Sequence, residues 1–189
     1  MKIDLGALPA VFPMPVLMVA AYDENGVPNV MNAAWGQICG MDKIALFISK
    51  PHKTTKNILA TKAFTVALAD EANVVPADYV GIATGNKDAD KFVKSGLHET
   101  KSKFVNAPVI EEFPLTMECE LLETVETDNV YMTVGKIVNV CAEESVLSEN
   151  GKVDPAKLNA IAFDNFQSGY YKMGEKVAQA WDAGKPLMK

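Results

Sequence analysis

The chain contains no arginine. All 18 of its basic residues are lysine, set against 24 carboxylates for a formal net charge of -6. Base recognition leans on arginine forks presented from a basic surface, so nucleic acid is not an expected partner. Histidine is almost as scarce, with only His52 and His98. A histidine-centred triad or a multi-histidine metal centre therefore lacks its parts, and no metal is expected. The three cysteines, Cys39, Cys119 and Cys141, stand far apart with no CxxC. They read as free thiols in a reducing compartment, each behaving as a small buried hydrophobe. No apolar run nears the roughly 20 residues that cross a bilayer. The stretch "MKIDLGALPAVFPMPVLMVAAYDENG" breaks its apolar residues with an aspartate and three prolines, unlike a secretory signal. A cytoplasmic protein without membrane attachment is expected. Also missing are GxxxxGK[ST], GxGxxG, GxSxG and HExxH. Asp78, Asp88 and Asp90 read as solvated acids at helix starts rather than a cation cluster. Any chemistry here is expected of a cofactor, not of a side-chain acid, base or nucleophile.

What is present suits one globular domain over residues 1–189, with 49% hydrophobic and 22% charged residues. "PVLMVAAY" and "NVMNAAW" flank Asn25-Gly26, a pairing that predicts a hairpin with a type I′ turn. "KIALFIS" (43–49) and "KAFTVALA" (62–69) predict strands on either side of a short helix over about 54–61. Residues 73–97 predict two short helices ended by Gly85 and Gly96. The alternation of Met117, Cys119 and Leu121 with Thr116, Glu118 and Glu120 marks the first of two long strands, joined by "TDN". "NAIAF" predicts a further short strand. Tyr170, Met173, Val177 and Trp181 fall on one face of an expected C-terminal helix stopped by Gly184 and Pro186. The fold class is mainly β with inserted helices, an antiparallel barrel with helical excursions.

Three stretches stand out. In "ISKPHKTTKNI" a strand ends at Ser49, Pro51 blocks further pairing, and a helix begins near Thr54. Helix N-termini offer unpaired N–H groups to phosphates. Ser49 and Thr55 add hydroxyls, and Lys50, Lys53 and Lys56 add charge. The same residues also suit a plain capped helix with a solvated lysine face. In "PNVMNAAWG" the small Ala33 and Ala34 sit between Asn32 and Trp35, so a flat ring can lie against the backbone; Trp35 either walls that ring or fills core. In "TGNKDADKF" Lys91 opens a helix, where the dipole disfavours a cation unless an anion lies near.

Together with "PMPVLMV", "GNKDADKF" and "YYKMGEKVAQAWDAG", the stretches "NGVPNVMNAAW" and "ISKPHKTTKNI" resemble, in order and spacing, the flavin reductase-like family and its flavoredoxin branch, over about residues 13–185. The resemblance implies a homodimeric FMN-binding split barrel, with flavin near the subunit interface. It implies that Asn29 and the run Asn32, Ala33, Ala34 and Trp35 border the ring and ribityl chain. Ser49, Lys50 and Thr55 would surround the phosphate with Lys91 as charge partner, His52 within reach, and Phe163 as the late aromatic beside the flavin. FMN would carry electrons from NAD(P)H or a redox protein to an acceptor. Many relatives carry a histidine five residues before a glycine in the penultimate long strand; counting back from Gly135 gives Val130. That departure leaves open an FMN electron carrier that never meets nicotinamide. A flavin-free dimeric module, or a haem binder using a histidine, is the alternative outside flavin chemistry.

Overall fold

The computed structural model describes residues 1–188. Its elements are, in order, β1 (Met14–Pro15), β2 (Leu17–Tyr22), β3 (Pro28–Ala33), β4 (Gly36–Gly40), β5 (Lys43–Leu46), α1 (Lys53–Thr61) and β6 (Ala63–Leu68). Then come α2 (Val74–Ile82), α3 (Lys91–Ser95), β7 (Glu99–Lys101), β8 (Pro108–Ile110), β9 (Leu115–Glu126), β10 (Tyr131–Ala142), α4 (Pro155–Leu158), β11 (Ile161–Asp164) and β12 (Gly169–Lys172).

The first hairpin forms where Asn25-Gly26 predicts it, but with a different turn. Asp23 Oδ1 accepts the amides of Asn25 (2.9 Å) and Val27 (3.0 Å), while Gly26 N–H donates to the Asp23 carbonyl at 3.0 Å. Only Gly26 has a positive φ, +79°. A type I′ turn needs two such residues, so the aspartate-braced turn replaces it.

Seven strands hydrogen-bond in the order β3-β2-β6-β9-β10-β5-β4, every neighbouring pair antiparallel. The sheet curls rather than lying flat. A Cβ at Gly36 would lie 2.6 Å from Leu17 Cδ1, so β4 at one end packs against β2 near the other. β3 and β4 share no ladder, which leaves the barrel split. β2 explains why the barrel has two cores. Leu17, Val19 and Ala21 point inward with Ile44, Leu46, Phe64 and Val66, whereas Val16, Met18 and Ala20 pack outward beneath α2 with Val80, Ile110 and Phe113. Burial on both faces is the reason this strand is apolar throughout instead of alternating.

The long strands and both short helices stand where the sequence puts them. Gly96 caps α3 at φ 72°, but α2 ends earlier than expected, at Ile82 with an extended Ala83, and Gly85 is not its cap. Cys119 is buried as expected, Cys141 is half-buried, and Cys39 is exposed on β4, contrary to the reading of all three as interior residues. The expected C-terminal helix is absent. Tyr170 is taken into β12, opposite Phe163 of β11, and residues 173–179 have no regular structure before a single 3-10 turn at Lys185–Leu187. Val177 and Trp181 are 99% and 95% exposed. A short segment without a surface to bury its apolar face gains too little to hold a helix. Among the described residues no helix is long and apolar enough to cross a membrane.

Candidate functional site

Local geometry at the junction between β5 and α1 follows from three constraints. Phe47 N–H donates to the Trp35 carbonyl at 2.8 Å, holding the end of the barrel sheet. Pro51 then stops pairing, and His52, extended at φ -61°, ψ 141°, stands as the N-cap of α1 without capping it by its side chain. The amides of Lys53, Thr54 and Thr55 are left without a backbone acceptor among the described residues. This is a helix start open to an anion.

The lysines around it divide by partner. Lys50 is exposed and pairs with Glu126 at 2.8 Å. Lys53 pairs with Asp23 at 3.3 Å, and Lys56 donates to Asn86 from the surface. Lys91, at the first position of α3, is only 4% exposed and makes no ion pair or side-chain hydrogen bond among the described residues. Burial without a counter-charge disfavours the ammonium and pushes its pKa down to about 8. His52 is likewise held below its ordinary value, by burial first and by Lys91 second, and its buried Nδ1 has no partner among the described residues.

Both side chains line one cavity of about 120 Å³, together with Asn29, Lys53, Thr54 and Gly85. Asn29 is buried, and its Nδ2 donates to Thr54 Oγ1 at 2.6 Å, tying β3 to the first turn of α1. Gly85 closes over this pair: a Cβ there would lie 3.2 Å from Lys53 Cγ and would collide with Asn29 Oδ1. The bare backbone is what leaves room.

The remaining sequence candidates form a second group or stand apart. Asn32 Nδ2 donates to the Ala77 carbonyl (2.9 Å) and to Tyr170 Oη (3.4 Å), and Tyr170 donates to Asp78 at 2.8 Å. The Tyr170 hydroxyl is pushed up to about 12 by burial and by Asp78. Phe163 lies 6.0 Å from the Tyr170 ring. Ala33 and Ala34 are half-buried, and Trp35 is 58% exposed. Thr55 is buried with its hydroxyl donating to the Ser49 carbonyl at 2.9 Å, so this pair shapes the turn from inside, and Ser49 itself is exposed. Ser49, Lys50 and Thr55 do not line the cavity; Asn29, His52 and Lys91 do. Thr54 and Gly85 escaped the sequence reading. The doublet Thr54-Thr55 carried the signal for the first, but nothing local separates a glycine that admits Asn29 from one that ends a helix.

Residues 9–161 match the family model of the flavin reductase like domain. The chain belongs to the flavin reductase-like family. Within that family its likeness is to the flavoredoxins. It is 35% identical to flavoredoxin of Desulfovibrio vulgaris (Miyazaki F), with a TM-score of 0.92 over 97% of this chain and 100% of that one. Flavoredoxin from Methanosarcina acetivorans is 27% identical, with a TM-score of 0.89 and full coverage of both chains. An uncharacterized protein of Aquifex aeolicus is 27% identical over 161 residues, 80% of each chain. The split barrel is thus a family property. A flavin nucleotide fits the residues present: its phosphate matches the unpaired Lys91, the orphaned His52 Nδ1 and the open amides of α1. The cavity, at about 120 Å³, has room for a phosphate but not for a ring as well.

Proposed function

We propose that this protein binds FMN and passes electrons through it, from NAD(P)H or a redox protein to an acceptor. The observation that carries the reading is Lys91, a lysine only 4% exposed with no counter-charge among the described residues. A phosphate monoester, close to doubly charged at neutral pH, supplies that charge. Lys91, His52 and the Thr54 hydroxyl would hold the phosphate, with Asn29 fixing the hydroxyl and the amides of Lys53–Thr55 directed by the helix start. Asn32 to Trp35 and Phe163 would border the ring side, and Ser49, Lys50 and Thr55 would shape the approach. FMN, when bound, supplies the hydride and electron transfer that the side chains cannot. The chain's own part is to bind, orient and shield: the charge of Lys91 favours an anion, and Gly85 keeps the backbone close.

The functional unit in this reading is a homodimer. An apolar groove of about 710 Å³ opens beside β1 and β11, lined by residues such as Leu17, Ile38, Met117, Ile137 and Met173. Leu5 and Phe12 before β1, and Val177 and Trp181 after β12, are exposed as well. Exposed apolar surface of this extent suits a second copy of the chain. Free thiols suit a reducing compartment such as the cytoplasm.

Purified protein mixed with FMN should turn yellow at one FMN per chain and sediment at twice the chain mass. Anaerobic mixing with NADH or NADPH then separates the two electron donors. Rapid loss of the visible flavin band marks a reductase. A band that survives nicotinamide but is lost to a reduced redox protein marks a carrier, the outcome favoured by Val130 in place of a histidine. A protein that stays colourless overturns the reading.

A further inference from the structure

Lys91 and His52 share one small cavity, and neither pairs with a carboxylate among the described residues. Asp23 on the first hairpin is engaged by Lys53 of α1, Asp88 before α3 is engaged by Lys94, and Lys56 and Asp90 are exposed. The cavity is therefore lined by three groups able to carry a proton, of which Lys53 is already paired with Asp23, while Lys91 and His52 have no anion among the described residues. We infer that this site takes up protons as it takes up phosphate, Lys91 and His52 charging together around the incoming dianion, so that the pair selects a phosphate-bearing flavin over the bare one. The inference rests on the FMN reading above and adds to it a coupling between cofactor capture and proton binding.

The physical argument has two halves. Before capture, burial favours the neutral forms: an isolated charge taken out of water is expensive, and nothing in the cavity offsets it. Lys91 at about 8 is partly neutral in the weakly alkaline range, and His52, held below its ordinary value, is mostly neutral at neutral pH. After capture, a dianion within hydrogen-bonding distance reverses the preference and draws both toward the charged form. The difference in protonation is a measurable number of protons. A surface lysine would show none, since it is charged in both states. Lys91 differs because it is 4% exposed and unpaired.

Titration calorimetry of the full chain with FMN, in phosphate-free buffers of low and high ionisation enthalpy, reads that number as the slope of observed enthalpy against buffer enthalpy. At about pH 8, where Lys91 is about half charged, the expected uptake from it is about half a proton per FMN. At about pH 7 Lys91 is about nine-tenths charged, so His52 should supply most of the uptake. Riboflavin, which lacks the phosphate, should show no buffer dependence. Lys91→Arg keeps the charge but cannot lose it, and should reduce the uptake at about pH 8. His52→Asn should reduce it at about pH 7. FMN binding with a zero slope at both pH values, or an equal slope for riboflavin, overturns the inference and leaves FMN binding standing. No heat with FMN under any condition overturns both. The comparison of FMN with riboflavin in the unaltered protein decides the matter even where a variant fails to fold.

Discussion

Lys91→Met should weaken FMN by about 10- to 100-fold, the range of a lost charge-assisted contact, and yet make the FMN-free protein more stable. Both effects have one cause. Methionine keeps an unbranched apolar stem in the space of the lysine, a residue only 4% exposed, and removes an ammonium that has no partner among the described residues. The cost of holding that charge follows from its depression from 10.5 to about 8, on the order of 3 kcal/mol. Between those two values the unfolded chain binds more protons than the folded one, so stability rises with pH through this window. Below about pH 8 the destabilisation is fully present; above about 10.5 both states are neutral at this position and it disappears. Thermal melts of the FMN-free proteins at about pH 7 should put the variant higher by about 5–10 °C, with the gap closing as pH approaches about 10. Quenching of flavin fluorescence gives the affinities. Riboflavin should bind both proteins alike. Equal losses for FMN and riboflavin would make Lys91 a structural residue, and a less stable variant would mean that the ammonium has a partner after all.

The lining of the cavity shows which parts of the candidate site were readable in the sequence. Lys91 was, because a lysine at the first position of a helix already conflicts with the dipole, and the conflict needs an anion to resolve it. Asn29 and His52 were, through the family resemblance rather than local spacing, and both line the cavity. The spread of the other lysines was not. Lys50 and Lys53 belong to the same short run of donors, but Glu126 and Asp23, 76 and 30 positions away, occupy them. Local spacing cannot see such partners. The barrel was legible for a related reason: β2 and β6 are mostly apolar because they are buried along nearly their whole length. β9 alternates because Met117, Cys119 and Leu121 face the inner core, although Thr116 and Glu118 on its other face are buried too. β4, "GQICG", was missed because it is an edge strand whose Gln37, Ile38 and Cys39 are all exposed, so it has no inner face to alternate with an outer one. The C-terminal segment has a helical period without a helix. Its periodicity is a statement about a surface to pack on, and among the described residues Val177 and Trp181 find none.

Gly135→Ala should cost about 1–3 kcal/mol of stability, and Phe64→Ala about 3–5 kcal/mol, for opposite faults at one contact. Phe64 is fully buried inside the barrel, and its ring rests directly on the bare Cα of Gly135. A Cβ at Gly135 would lie 2.9 Å from Phe64 Cε1, closer still to Cζ, and 3.3 Å from Cys119 Cβ. The backbone there is not in the left-handed region, so glycine is required for space rather than for conformation. β10 also breaks register with β9 between Val134 and Gly135, bending the strand around the ring. Alanine overfills the contact; removing the ring empties it. A smaller side chain at Phe64 should therefore rescue Gly135→Ala in part. The double variant Gly135→Ala, Phe64→Leu should be more stable than the sum of the single changes by about 0.5–2 kcal/mol, read from urea midpoints at constant slope. Additive losses would show that the ring simply rotates away. Because Gly135 pairs with Ile44 of β5, whose strand leads into His52 and α1, the same overpacking should pass along β5 and weaken FMN in Gly135→Ala, with the rescue recovering affinity and stability together.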